Sequence, residues 1–452
     1  MNRTPWFQRR PTGRRPAPSA RLSLEHLEER TMMSAAPGMP RDILLVGDGN
    51  DNSVKRFDAD TGTFLGNTVA PGSGGLNGPR GLIFRNAGQL LVVDQNLNEP
   101  NPGEILRFNA PGGDFLGNVV SQTDANAPFA PRGMVLGANH ILYVGDDGNL
   151  DGITLGRLAR FDSETGAFLG DLQPSGFTGD FYPRGVVIGP DGMVYASVRN
   201  IAATGGEIMR WNPATGQFLG DFVDSNAGND LNRPEGIAFG PDGNLYVASF
   251  RADASDTDKV LEFSGKTGAY TGKIDLDQVG QPRAFGQALL FGPDGKLFVP
   301  ITGTGPDTGA VRRYDVSTGT FDDFVPASAS GGPLGMPWYL TFGDTNPGTL
   351  DYADHPGNGS AHNSGQAGEP LATATVWAGQ QAGGALADAS AFAGNGQQAT
   401  SGVVASPTGN SAVGLTPAPA ASTMTQDYYF AQRHEKAPAA ELVDNLGLNL
   451  SI

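Results

Sequence analysis

Three arginines, a glutamate, a glutamine and a tryptophan fill one slot of a phrase that the chain writes six times. The phrase reads PRGLIF (79–84), PRGMVL (131–136), PRGVVI (183–188) and PEGIAF (234–239), then the looser GQALLF (286–291) and PWYLTF (337–342). The second position is Arg80, Arg132, Arg184, Glu235, Gln287 and Trp338. If these six side chains meet, the guanidiniums form a cationic side that suits a carboxylate or phosphate, because each presents a planar fork of donors. Trp338 adds a stacking plane. The competing reading is internal. Asp48, Asp94 and Asp146 end the runs that follow or precede these phrases, so pairs such as Arg80–Asp94 and Arg132–Asp146 would compensate the charge without a ligand.

Catalytic alternatives use fewer residues. Glu235 is the one carboxylate in the slot, and Asp48, Asp94, Asp146 and Asn96 could join it around a hard cation, against which three arginines would act. The run DGNLDG sets Asp147, Asn149 and Asp151 at a calcium-loop spacing, but Leu158 stands where a bidentate glutamate is needed. DGNDNS (48–53) is looser still. No cofactor is therefore expected, with calcium or magnesium as the alternative. Cysteine is absent, which removes thiolate sites and disulfides. The net charge of −17 argues against a nucleic-acid groove, and no apolar run is long enough to span a membrane.

The elements that position the slot come from a second repeated phrase: VKRFDADTGTFLG, ILRFNAPGGDFLG, LARFDSETGAFLG, IMRWNPATGQFLG, VLEFSGKTGAYTG and VRRYDVSTGTFDD. Its aromatics fall at 64, 115, 168, 218, 270 and 321, spaced by 51, 53, 50, 52 and 51 residues. Each unit holds four short β-rich runs, two of them joined by a tight turn such as GPDG and two by a turn ending in Thr-Gly. Six such units predict an all-β fold, a six-bladed β-propeller of four-stranded blades over 41–352. The chain enters without a Pro-x-Gly strand and leaves with one, so 338–342 should pair beside 43–46 and close the ring by strand exchange. Residues 1–40 are basic and Pro-rich. Residues 353–452 are rich in Ala, Gly, Ser and Thr. Both are expected to be mostly disordered.

The pattern P-x-G-I-A-F-G-P-D-G-N-L-Y-V-A-S resembles NHL repeats and the related virginiamycin B lyase and SMP-30/gluconolactonase propellers. For the lyases this resemblance implies chemistry that depends on histidine, yet His140, in a turn, is the single histidine of 41–352. For the lactonases it implies a divalent cation held by Glu, Asn and Asp at the channel mouth. RLSLEHLEERTMMSA (21–35) is similar to a leader of planctomycete-type exported proteins, which implies an extracellular or cell-surface location. Strand direction places the regular turns on one face, and the Pro-x-Gly phrases on the other with loops 94–104, 146–157 and 250–259. The expectation is a monomeric, non-catalytic recognition or scaffold module. Its loop face would take a protein, an acidic polymer or a small anion. The alternative is a metal-dependent lactonase- or lyase-like enzyme at the channel mouth.

Overall fold

The structure, a computed structural model, describes residues 43–343 apart from 87, 98–100, 111, 149–155, 201–204, 225–227, 306 and 329–330. The first blade begins with β1 (Ile43–Asp48), β2 (Ser53–Asp58) and β3 (Phe64–Val69). Next come β4 (Pro79–Asn86), β5 (Gln89–Asp94), β6 (Glu104–Asn109) and β7 (Phe115–Val120), then β8 (Pro131–Leu136), β9 (Ile141–Asp146), β10 (Arg157–Asp162) and β11 (Phe168–Leu172). The fourth blade has β12 (Tyr182–Ile188), β13 (Val194–Arg199), β14 (Gly206–Trp211) and β15 (Phe218–Asp224). The fifth has β16 (Pro234–Phe239), β17 (Leu245–Ser249), β18 (Lys259–Phe263) and β19 (Tyr270–Asp275). The sixth has β20 (Leu290–Phe291), β21 (Leu297–Ile301), β22 (Ala310–Asp315) and β23 (Thr320–Val325), and β24 (Pro337–Phe342) returns to the first. Each blade is a four-stranded antiparallel sheet, and the first has the order β24-β1-β2-β3. Leu44 lies opposite Phe342 and Val46 opposite Leu340, so strand exchange closes the ring as expected. The segments 1–40 and 353–452 lie outside the described residues.

No blade has a core of its own. Ile43, Leu45 and Val54 of the first blade share one cluster with Leu82, Phe84, Leu90 and Phe108 of the second. Leu44, Val46 and Phe57, on the opposite face of the first, pack with Phe298, Val311 and Phe324 of the sixth. A sheet buried on both faces reads as continuous apolar runs, which is why LLVV (90–93) shows no alternation. The outermost strands are half wet. There an exposed aromatic leans on the strand inside it, as Phe64 does on Phe57 with ring centroids 5.5 Å apart.

The glycine of Pro-x-Gly sets the spacing of the inner strands. A Cβ on Gly133 would stand 2.7 Å from the carbonyl oxygen of Arg184, and one on Gly185 would stand 2.7 Å from that of Glu235. Any side chain there would push neighbouring blades apart at the axis. The fifth and sixth copies put Ala288 and Tyr339 in this slot, and β20 shrinks to two residues beside an isolated bridge between Gly286 and Ile301.

Candidate functional site at the channel mouth

All six slot residues are buried around the axis where the inner strands start. Arg80, Arg132, Arg184, Glu235, Gln287 and Trp338 are each 1–6% exposed. Arg80 donates from Nε to Gln95 Oε1 and from Nη1 to Gln287 Oε1, both at 2.7 Å, and its guanidinium lies 3.8 Å from the centroid of the Trp338 ring. The stacking plane expected for a ligand is thus covered by Arg80. Arg184 is the hub of the other half. Its Nη2 is 2.6 Å from Asp147 Oδ2 and its Nη1 is 3.2 Å from Glu235 Oε1. Arg132 reaches the same Asp147 oxygen at 3.3 Å, and Arg199 pairs with Glu235.

The in-blade pairs Arg80–Asp94 and Arg132–Asp146 do not form. Asp94 accepts from the backbone N–H groups of Asn77 and Asn96, and Asp146 from those of Phe129, Ala130 and Gly148. The cause lies in the register, which sets Pro79 opposite Asp94 and Pro131 opposite Asp146. Proline has no N–H for the ladder, so the carboxylate instead gathers N–H groups from residues just before the proline and from the residue two past itself. Asp48 does the same for Gly335 and Met336 at 2.8 Å, while Lys55 compensates its charge.

Sequence reasoning missed a second ring. It consists of the residue one past the ladder partner of the residue that precedes each slot: Gly49, Gln95, Asp147, Arg199, Phe250 and Thr302. The signal was present, since these six hold one position of the same repeat. A Cβ on Gly49 would overlap the Trp338 ring, so glycine makes room for the largest side chain of the first ring. Thr302 caps the carbonyl of Pro337 at 2.9 Å. The two rings thus interlock within blades, as Arg80 with Gln95 and Arg132 with Asp147, and across them, as Arg184 with Asp147 and Glu235 with Arg199.

Burial and like charge dominate the electrostatics. Burial and neighbouring Arg132 push the Arg80 guanidinium well below its ordinary range. Burial and Arg184 bring Arg132 to about 10 and Arg199 to about 9. For Arg184 burial acts downward, but Asp147 and Glu235 on either side win and raise it. Tyr339 is pushed up to about 12 by burial and by Glu235. The ion-pair chain is therefore too short of carboxylates for its guanidiniums.

The metal candidates fare differently. Asp147 faces two guanidiniums, while Asn149 and Asp151 lie outside the described residues. Among the described residues no group of three or more His, Cys, Asp or Glu is placed to hold a metal ion. Asn96 donates from its side chain to Pro102 O, and exposed His140 lies 3.8 Å from Glu164 in a turn.

Away from the axis, a groove of about 720 Å³ opens between the fifth and sixth blades, lined by Asp277, Gln278, Val279, Arg283, Thr308 and Phe321 among others. It lies beside the connections 276–289 and 302–309, on the loop face. Val279 is 56% exposed there. At the start of β14, burial pushes Glu207 up to about 7, assisted by Asp221, Asp224 and Asp180. Its folded pKa lies above the ordinary 4.5, so its contribution to stability is present below about pH 4.5 and is lost as pH rises through about 7. Glu207→Gln should flatten that decline and make the variant the more stable protein at pH 8. Urea midpoints at pH 5 and pH 8 check this, and an unchanged pH slope would refute it.

No family model matches the chain, and none of the curated proteins does. Solved structures do. A protein of unknown function from Bacteroides caccae is 15% identical, covering 66% of this chain and 97% of its own, with a TM-score of 0.46. A putative gluconolactonase is 16% identical over 58% of this chain and 82% of its own, with a TM-score of 0.42. A catalytically inactive virginiamycin B lyase from Staphylococcus aureus with quinupristin is 15% identical over 54% and 69%, with a TM-score of 0.37.

Proposed function

We propose that this protein is a non-catalytic recognition propeller that engages a protein partner through the loops of its Pro-x-Gly face. One observation carries the reading. Both carboxylates of the channel mouth are held by guanidiniums, Glu235 between Arg184 and Arg199, and Asp147 between Arg132 and Arg184. A carboxylate fixed by two guanidiniums is a poor cation ligand and a poor general base. The burial of the arginine ring also argues against an acidic polymer there, since a polymer chain cannot reach residues that are 1–6% exposed. The groove at the fifth and sixth blades, with Val279 at its rim, offers a partner the concave, partly apolar surface that recognition uses. The leader-like stretch 21–35 favours a role outside the cell or at its surface.

The test starts from full-length protein stripped with a chelator. Calorimetric titration with calcium and magnesium should give no stoichiometric uptake, and a panel of lactones should not be opened. Cross-linking in the native secretome should then map partner contacts to 94–104, 250–259 and 276–285. Metal uptake together with lactone hydrolysis that collapses in Glu235→Gln would overturn the reading.

A further inference from the structure

The channel mouth carries more buried positive charge than its carboxylates balance. Arg80, Arg132, Arg184 and Arg199 supply four positive charges against two negative ones from Asp147 and Glu235, an excess of two (4 − 2), in residues that are all 1–6% exposed. An uncompensated charge in such surroundings costs several kcal/mol unless something pairs with it. The cavity next to the ring is lined by Leu82, Met134, Val186, Ile237, Leu289 and Leu340 together with glycines, Val187, Ala288 and Tyr339, and none of these residues carries a charge that could compensate the ring.

Several side chains of this ring and its rim carry polar atoms without partners. Arg132 Nε, Arg184 Nε, Arg199 Nε, Gln287 Nε2, Trp338 Nε1 and the Tyr339 hydroxyl are buried and make no hydrogen bond, and all six can donate. One acceptor, Asp147 Oδ1, is in the same condition. Six donors to one acceptor is the complement of an anion. Tyr339 points the same way. It replaces the glycine of the repeat, lines the small cavity at the axis and brings its hydroxyl under the field of Arg80, Arg132 and Arg184.

We propose that the channel mouth binds one small monovalent anion, of halide to formate size, held by Arg132, Arg184 and the Tyr339 hydroxyl. The size follows from burial, since residues that are 1–6% exposed leave no opening for a larger group, and Tyr339 is the one polar side chain lining the adjacent cavity of about 50 Å³. A phosphate ester or sugar acid does not fit. The ion lowers the excess from two charges to one and gives the stranded donors an acceptor. This inference stands apart from the loop-face partner, because it concerns side chains that a macromolecule does not reach.

The test uses bromide on the full chain. Crystals grown in sodium bromide should show an anomalous peak within hydrogen-bond distance of Tyr339 and Arg132 or Arg184. In solution, bromide replacing gluconate at constant ionic strength should raise Tm by about 2 °C per tenfold once the site is saturating. Tyr339→Phe, which keeps the packing and loses only the hydroxyl, should reduce that slope, and Arg132→Met should abolish it. An ordered water in place of the peak, a Tm indifferent to bromide, or an equal slope in wild type and both variants would overturn the proposal.

Discussion

Replacing Glu235 by leucine is expected to destabilise the protein by about 3–5 kcal/mol, the usual cost of removing one partner of a buried ion pair. Arg199 would lose its carboxylate outright, and Arg184 would keep only Asp147. The buried excess would rise from two charges to three (4 − 1). Glu235→Gln keeps an acceptor without the charge and should fall between. The decisive comparison is the double variant Glu235→Leu, Arg199→Leu, which removes a charge of each sign. It should be more stable than Glu235→Leu alone, since the second change removes the cation that the first leaves stranded. Urea denaturation at fixed bromide concentration reads the cycle. If the two effects simply add, to within about 0.5 kcal/mol, Glu235 and Arg199 are not energetic partners.

Asp48→Ala should act on the closure of the ring. Its carboxylate is fully buried and accepts from Gly335 and Met336 at 2.8 Å and from Lys55 Nζ at 2.5 Å. Losing it leaves two buried N–H groups without an acceptor and deprives Lys55 of its nearest anion, together about 3–5 kcal/mol. Asp94→Ala removes the same kind of clamp within a single covalently continuous blade. The two variants should therefore differ in kind. Hydrogen exchange at 335–342 should accelerate strongly in Asp48→Ala, because the last strand then keeps side-chain packing, the β1–β24 ladder and single bonds such as Thr302 to Pro337 O, but no anchor on the N–H groups that lead into it. In Asp94→Ala that segment should stay protected. Equal protection in both would show that the clamp has no special part in closure.

The blade count, the four strands per blade, the strand exchange and the convergence of the six slot residues were all legible in the sequence. Period and turn chemistry are local properties, and a repeat displays them six times. Partner choice was not legible. Arg80 and Asp94 share a blade, yet Pro79 opposite Asp94 redirects the carboxylate to the backbone of Asn77 and Asn96. The guanidiniums instead turn to the residue beyond such an aspartate, as Arg132 does to Asp147, and to residues of other blades, as Arg80 does to Gln287 and Arg199 to Glu235. The contacts between blades depend on how blades pack about the axis, which no single repeat encodes. Tyr339 escaped notice for a related reason, since its importance comes from breaking a glycine pattern that it does not itself advertise.

The pairing of β24 with β1 also dictates an order of events. Leu44 cannot meet Phe342 until almost three hundred residues have intervened, so this ladder has the longest sequence separation in the domain. During synthesis β2 and β3 can pair with β1, and five further blades can assemble behind them, while the inner edge of β1 faces water. Contacts of such separation are the slowest to form because the chain entropy of closing so large a loop must be overcome first. Refolding should therefore show a late phase in which fluorescence of Trp338 reports burial after the blades have formed. Until that phase ends, the exposed edge of β1 is open to the β24 of another copy, and concentrated refolding should yield dimers in which two chains exchange their final strands.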